Sequence, residues 1–193
     1  MSYRNFLGSI LTPLAIFSIL AFDFQFSSPN IPDPDSFYHL RHAEIYKEQG
    51  IFTTDFPWVQ YSAISQLKSD LWYGFHILLI PFTYLNPIID IKIAGVFLTS
   101  LALAIFYFVL KRHQTPLPFL WAIFLFVSAP NTLNRLLMVR PHILTLALSL
   151  LLLSLLIKGK NRQIVLISFL FSWAHLSLVW IPILIGIAVL TIS

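Results

Sequence analysis

Apolar stretches at residues 6–22, 71–85, 93–110, 117–129, 143–157 and 164–192 fill most of this chain and dictate where its charges can go. All eight acidic residues lie between Asp23 and Asp90. With 58% hydrophobic residues, 10% charged residues and a mean hydropathy of +0.81, the chain has more apolar surface than 193 residues can hide in their own interior. Lipid is the expected cover for the excess, and the chain reads as an all-α, polytopic integral membrane protein. Segment 23–90 sets its eight carboxylates against Arg41, Lys47 and Lys68 only, a net charge of −5. The other Lys and Arg residues sit in short loops and flanks. That distribution orients a multi-pass protein and does not build a basic groove, so no nucleic-acid partner is expected. The chain has no Cys, which excludes disulfide and thiolate chemistry.

A crossing helix needs about 20 residues. Residues 6–22 follow Arg4 and resemble a signal peptide without a small-x-small cleavage site, so 1–22 reads as a retained anchor helix with a cytoplasmic amino terminus. If 71–85 also crossed, the clusters Lys111-Arg112-His113 and Lys158, Lys160 and Arg162 would lie outside. If that stretch instead rests on the outer face, both clusters and Arg4 fall inside, as the positive-inside rule requires. Its fifteen residues include Gly74, His76 and Pro81, which also suits an interfacial segment. The expected layout is a single transmembrane domain: an anchor at 1–22, an outer loop at 23–90 carrying amphipathic helices, and the remaining spans in 91–193, with a second outer loop at 129–142. The run 164–192 would measure about 43 Å as one helix, so a bend near Trp173 to His175 or Trp180 to Pro182 is expected. No internal repeat or low-complexity tract is present. The apolar ending "IGIAVLTIS" reads as the front part of a longer architecture.

The outer loop holds the chemistry. In "NIPDPDSFYHLRHAEIYKEQG" the pair Asp33 and Asp35 precedes an amphipathic stretch, placing Asp35 at or near a helix N-cap, where the dipole favours a carboxylate. On that helix Asp35, His39 and His42 recur at i, i+4 and i+7, one face, continued by Tyr46. The spacing admits two readings: a cap on a solvated face, or a carboxylate and imidazoles converging on a divalent cation. Arg41 is placed either to reach a phosphate or to pair with Glu44 or Glu48. In the second outer loop, Pro141 starts a helix between Arg140 and His142, which sets a guanidinium and an imidazole where a carrier phosphate would lie. Snorkelling to lipid head groups is the plainer account of the same pair. His175 reads as a packing residue, and His76 as an interfacial histidine beside Trp72 and Tyr73.

The heptapeptide "DSFYHLR", Asp35 to Arg41, resembles the first-external-loop motif of the catalytic subunit of oligosaccharyltransferases, in which an aspartate is followed by aromatic residues, often an Asn or His, and an arginine six positions on. The order of elements is similar as well: an anchor helix, a long outer loop, then spans of the type called the GT-C fold. The resemblance implies a GT-C-like amino-terminal transmembrane bundle. It also implies an activity, transfer of a sugar from a polyprenyl-phosphate-linked donor to an acceptor at the outer face. By this carry-over Asp35 is the catalytic acidic group and a metal ligand, with Asp33 and His39 in support. Arg140, Arg41 and His142 become the donor-phosphate contacts. The family's second outer loop supplies a further acidic pair to a magnesium or manganese ion, whereas "NTLNRLLMVRPH" has no carboxylate. Either Asp70 or His76 completes a metal set with Asp35 and His39 from within the first loop, or the enzyme works without a metal. The competing expectation is a non-catalytic membrane protein: a lipid- or partner-binding subunit, an inactive relative or a carrier. No acidic residue lies in a confident span, which lowers the carrier reading.

Overall fold

The computed structural model describes residues 3–56, 66, 69–175, 185 and 187–189, with side chains from residue 11 onward. Among these residues every regular element is helical: α1 (Tyr3–Phe26), α2 (Asp35–Gln49), α3 (Tyr73–Leu79, running into a 3-10 turn at Ile80–Phe82), α4 (Pro87–Arg112), α5 (Pro118–Val127), α6 (Pro130–Leu137), α7 (Pro141–Ile157) and α8 (Asn161–Ala174). Prolines 87, 118, 130 and 141 each open a helix, where the missing N–H is no loss and the fixed φ is already helical. The same prolines cut the apolar sequence into short rods. Gly50 ends α2 at φ 95, a conformation that costs glycine no Cβ clash, and returns its N–H to the Tyr46 carbonyl.

α4 is the central rod. Its flanks pack on α1, α2, α5, α6 and α7. One apolar core joins Leu40 and Ala43 of α2, Phe75 and Leu79 of α3, Ile91, Ala94, Leu98 and Ala102 of α4, and Ile143 and Ala147 of α7. A second gathers Phe17 of α1, Leu103 and Ala104 of α4, Ala122 and Phe126 of α5, and Leu136 and Leu137 of α6. Alanines at the crossings let the axes approach closely. The outward faces stay apolar too, with Ile19, Phe22, Phe124, Leu153, Leu166 and Phe169 at least half exposed.

Among the described residues only α4, at 26 residues, is long and apolar enough to cross a membrane alone. The expectation of several full-length spans is corrected at this point. The proline breaks leave α5 with 10 residues and α7 with 17, and α8, which opens after the turn at Gly159, has 14. α1 runs 24 residues, Tyr3–Phe26. α6 and α7 pass the test only as a pair, and they are bent by 104°. Residues 71–85 form no span-length helix, as the charge argument required. The expected loop at 129–142 is instead mostly helix, because Leu133, Leu136 and Leu137 share a face that packs into the second core. α8 stops at Ala174, with His175 extended, and the alternative bend near Trp180 to Pro182 lies outside the described residues.

Gly74 fixes the seat of α3 on α8. A Cβ there would lie 2.5 Å from the Trp173 ring and 2.8 Å from the Trp173 carbonyl oxygen. The ring can swing away but the backbone cannot. Gly74→Ala is therefore expected to destabilise the protein by about 1–3 kcal/mol, read as a lower thermal midpoint in detergent; an unchanged midpoint would show that α3 and α8 do not dock this way.

Candidate functional site

Pro141 disfavours a helical conformation at the residue before it, and Arg140 is extended accordingly, at φ −136 and ψ 153. The extension ends α6, turns the chain and aims the guanidinium at the start of α2. There Nε donates to Asp33 Oδ2 at 2.5 Å and Nη2 donates to Asp33 Oδ1 at 2.6 Å, a two-pronged bond. Nη2 also lies 2.6 Å from Asp35 Oδ2. The Asp33 side chain is 5% exposed, that of Arg140 35% and that of Asp35 59%. Asp33 is thus the buried anchor, and Asp35, in the first turn of α2, is the carboxylate that meets solvent. Ser36 adds a further tie by accepting from the Val139 N–H.

The carboxylate pair fits a metal poorly. The guanidinium already lies against both acids, and a divalent ion among them would face its positive charge at close range. The magnesium or manganese that the resemblance implies is therefore not carried onto Asp33 and Asp35.

One and two turns further along α2, His39 and His42 point inward to a second cluster. The His39 Nδ1 lies 2.8 Å from His76 Nε2, and His76 Nδ1 lies 2.5 Å from Asp70 Oδ2. Tyr46 donates its hydroxyl to the same Oδ2 at 2.8 Å, and the Trp72 N–H donates to Oδ1 at 2.9 Å. His42 stacks on His76, with ring centroids 4.6 Å apart. Phe56, Phe75 and Trp72 wall the group. Burial, then the His76 and His42 imidazoles, push His39 down to about 2. Burial, then His76, push His42 down to about 4. Both rings are neutral at physiological pH. For Asp70 burial opposes ionisation, but the bonds from His76, Trp72 and Tyr46 outweigh it and hold the carboxyl below its usual range. One ligand atom each from His42, Asp70 and His76 fall within 4.8 Å of one another, so these residues can hold a metal.

The sequence-predicted residues therefore part into different places. Asp33, Asp35 and Arg140 come together, as expected for groups serving one substrate, but Arg140 is engaged by carboxylates and is not held open for a phosphate. The expected metal set of Asp35, His39 and Asp70 does not assemble. Asp35 belongs to Arg140, and His42 and His76 join Asp70, because the inward turn of α2 buries His39 and His42 while its first residue stays outside. Arg41 takes the plainer alternative and pairs with Glu44 at 2.7 Å, with Glu48 at 3.8 Å. His142 lies apart from the carboxylates' direct contacts. Its Nε2 lies 3.0 Å from the Arg135 carbonyl, and it lines a groove of about 300 Å³ with Leu125, Asn131, Thr132, Arg135, Leu136 and Leu146. Arg135 is the cation that the sequence reading left without a role; its signal was the amphipathic spacing of Leu133, Leu136 and Leu137 opposite it.

Cutting Arg140 back to Gln leaves the buried Asp33 charge without its partner. Arg140→Gln is expected to cost about 1–3 kcal/mol, and the double change with Asp33→Asn to cost less than the sum of the single ones. A denaturation cycle in detergent measures both, and additivity would show that the pair is not coupled.

Comparison of the chain with protein-family models, with curated proteins and with solved structures finds no match.

Proposed function

We propose that the protein is an integral-membrane glycosyltransferase of the GT-C type, or the amino-terminal part of one, which moves a sugar from a polyprenyl-phosphate-linked donor to a hydroxyl or amide acceptor. The observation that carries this reading is the half-exposed Asp35 carboxylate held 2.6 Å from Arg140 at the mouth of a bent helix pair. A base for the acceptor must be fixed in position and open to a substrate, and Asp35 meets those demands. Asp33 takes the inner side of the guanidinium and leaves Asp35 on the outer side.

In the proposed step Asp35 accepts the acceptor's proton as the acceptor atom bonds to the anomeric carbon. The bond from that carbon to the phosphate oxygen breaks, and the carrier phosphate leaves with the electron pair. Arg140 orients Asp35 as a positioning residue. The leaving phosphate is assigned to the groove beside α6, where Arg135 and His142 supply polar contacts and Leu125, Leu136 and Leu146 suit a polyprenyl chain. His142 is close enough to Asp33 and Arg140 to feel their charges, so groove and carboxylates share a neighbourhood. This centre needs no metal.

The reading also takes the bilayer as solvent. The apolar outer faces of α1, α5, α7 and α8 are then lipid-facing, the bent pair α6 and α7 dips into the membrane from the side of α2, and short helices are supplemented by neighbours. The rival is a non-catalytic membrane protein in which Arg140, Asp33 and Asp35 form a structural lock. What favours the rival is that all three groups already satisfy one another.

Sugar transfer in reconstituted vesicles separates the readings. Asp35→Asn is expected to lower transfer from a polyprenyl-phosphate sugar by about 100-fold or more while leaving the fold intact, and undiminished transfer would remove Asp35 from catalysis. Because the chain has no Cys, single cysteines report topology cleanly. Thr54→Cys is expected to react with an impermeant maleimide from the outer side, and Gln114→Cys and Gly159→Cys only from the inner side. Labelling of all three from one side would rule out the multi-pass arrangement.

A further inference from the structure

The second cluster is not used by the proposed transfer and has a composition of its own. Three imidazoles, a carboxylate and a phenol are packed together with His42 and His76 fully buried and His39 only 4% exposed. Packing alone does not require such a gathering. A hydrophobic core gains nothing from desolvating five titratable side chains at one point. We propose that His42, Asp70 and His76 form a divalent transition-metal site of the zinc class, which clamps α2 to the segment that leads into α3. The inference stands apart from sugar transfer and would hold for a non-catalytic protein as well.

The donor set selects the ion. Two nitrogens and one oxygen suit zinc, cobalt or manganese far better than magnesium or calcium, which prefer an all-oxygen shell. Their ligand atoms already lie within 4.8 Å of one another. The surroundings supply the outer hydrogen bonds that hold metal ligands in place. Tyr46 and the Trp72 N–H orient Asp70. His42 Nδ1 lies 3.4 Å from the Tyr38 carbonyl, and the tautomer that donates there carries its lone pair on Nε2. At His76 the metal takes the place of the proton that Nδ1 shares with Asp70. That proton moves to Nε2, from which it is donated to Nδ1 of His39, whose own proton shifts from Nδ1 to Nε2. The Asp70 carboxylate offsets one of the ion's two positive charges. Entry is provided by a pocket of about 240 Å³ that reaches Asp70 past Thr53, Thr54, Ser69 and Tyr73. Two protein nitrogens and one oxygen leave a fourth position for water entering from that pocket.

The test uses the full chain, purified in detergent and stripped with a chelator. Zinc added back is expected to bind at about one ion per chain and to raise the thermal midpoint, and cobalt to give the visible absorption of a low-coordinate site. His42→Ala and Asp70→Asn should each abolish stoichiometric binding. His39→Ala should keep the stoichiometry with affinity lower by about 10- to 100-fold, and Arg41→Gln should behave as the parent. Circular dichroism checks that the variants fold. Should His42→Ala or Asp70→Asn prove unfolded, the parent's cobalt spectrum and its zinc-dependent midpoint decide alone. The site is overturned if the stripped parent takes up no zinc, cobalt or manganese at stoichiometric level, or if folded His42→Ala and Asp70→Asn bind as the parent does. Metal content bears only on this cluster, whereas transfer by Asp35→Asn bears only on the carboxylates beside Arg140.

Discussion

The break between α6 and α7 is the constraint around which the rest is arranged. A helix interrupted inside an apolar bundle exposes carbonyls at the end of its first half and amides at the start of its second, and no water is at hand to take them. Here three groups at the break are met by side chains from elsewhere. Thr99 of α4 donates to the Leu136 carbonyl at 2.5 Å, Gln25 of α1 donates to the Leu137 carbonyl at 2.6 Å, and Ser36 of α2 accepts from the Val139 N–H. Asp33 then holds Arg140. The Gln25 amide can cross α4 only because position 95 is glycine, where a Cβ would lie 2.0 Å from the Gln25 Nε2. Elements remote in sequence are thereby tied to one turn.

α2 takes its position from that tie. With its first turn fixed to the break, the helix axis is set, and the inward positions one and two turns later carry His39 and His42 to His76 and Asp70. A solvated surface helix would have no reason to bury two imidazoles. The cost of desolvating them is offset by the hydrogen-bonded chain that runs from Tyr46 through Asp70 and His76 to His39, and by the apolar contacts of Leu40, Ala43 and Ile45 on the same helix. The Asp35 carboxylate and the histidine cluster are consequently about two helical turns apart on one rigid rod, and a change in the seat of α2 would move both.

Much of the local structure was legible. The helix beginning at Asp35 and the helix opened by Pro141 follow from the preference for acids in a first turn and from proline geometry, and Gly74, His76 and Pro81 keep 71–85 from forming a helix of span length. The lengths of the rods were less so. Hydropathy reads apolar runs as continuous spans, but prolines 118, 130 and 141 divide them by backbone sterics, which a hydropathy sum does not register. The second outer loop was placed by the apolar runs on either side of it and by the positive-inside argument, although Leu133, Leu136 and Leu137 already had helical spacing.

By itself, then, the sequence determined a helical chain rich in lipid-compatible surface, with its acids confined to one segment and its helix starts marked by Pro and Asp. Those are consequences of near-neighbour chemistry. Which acid meets which base was settled by tertiary structure alone. Asp70 and His76 lie on no shared helical face with His39 and His42, and only the packing of α3 against α2 and α8 brings them into hydrogen-bond range. Equally, only the turn at Arg140 decides that Asp33 takes the buried side of the guanidinium and leaves Asp35 open, because burial is a property of the assembled bundle and not of either residue.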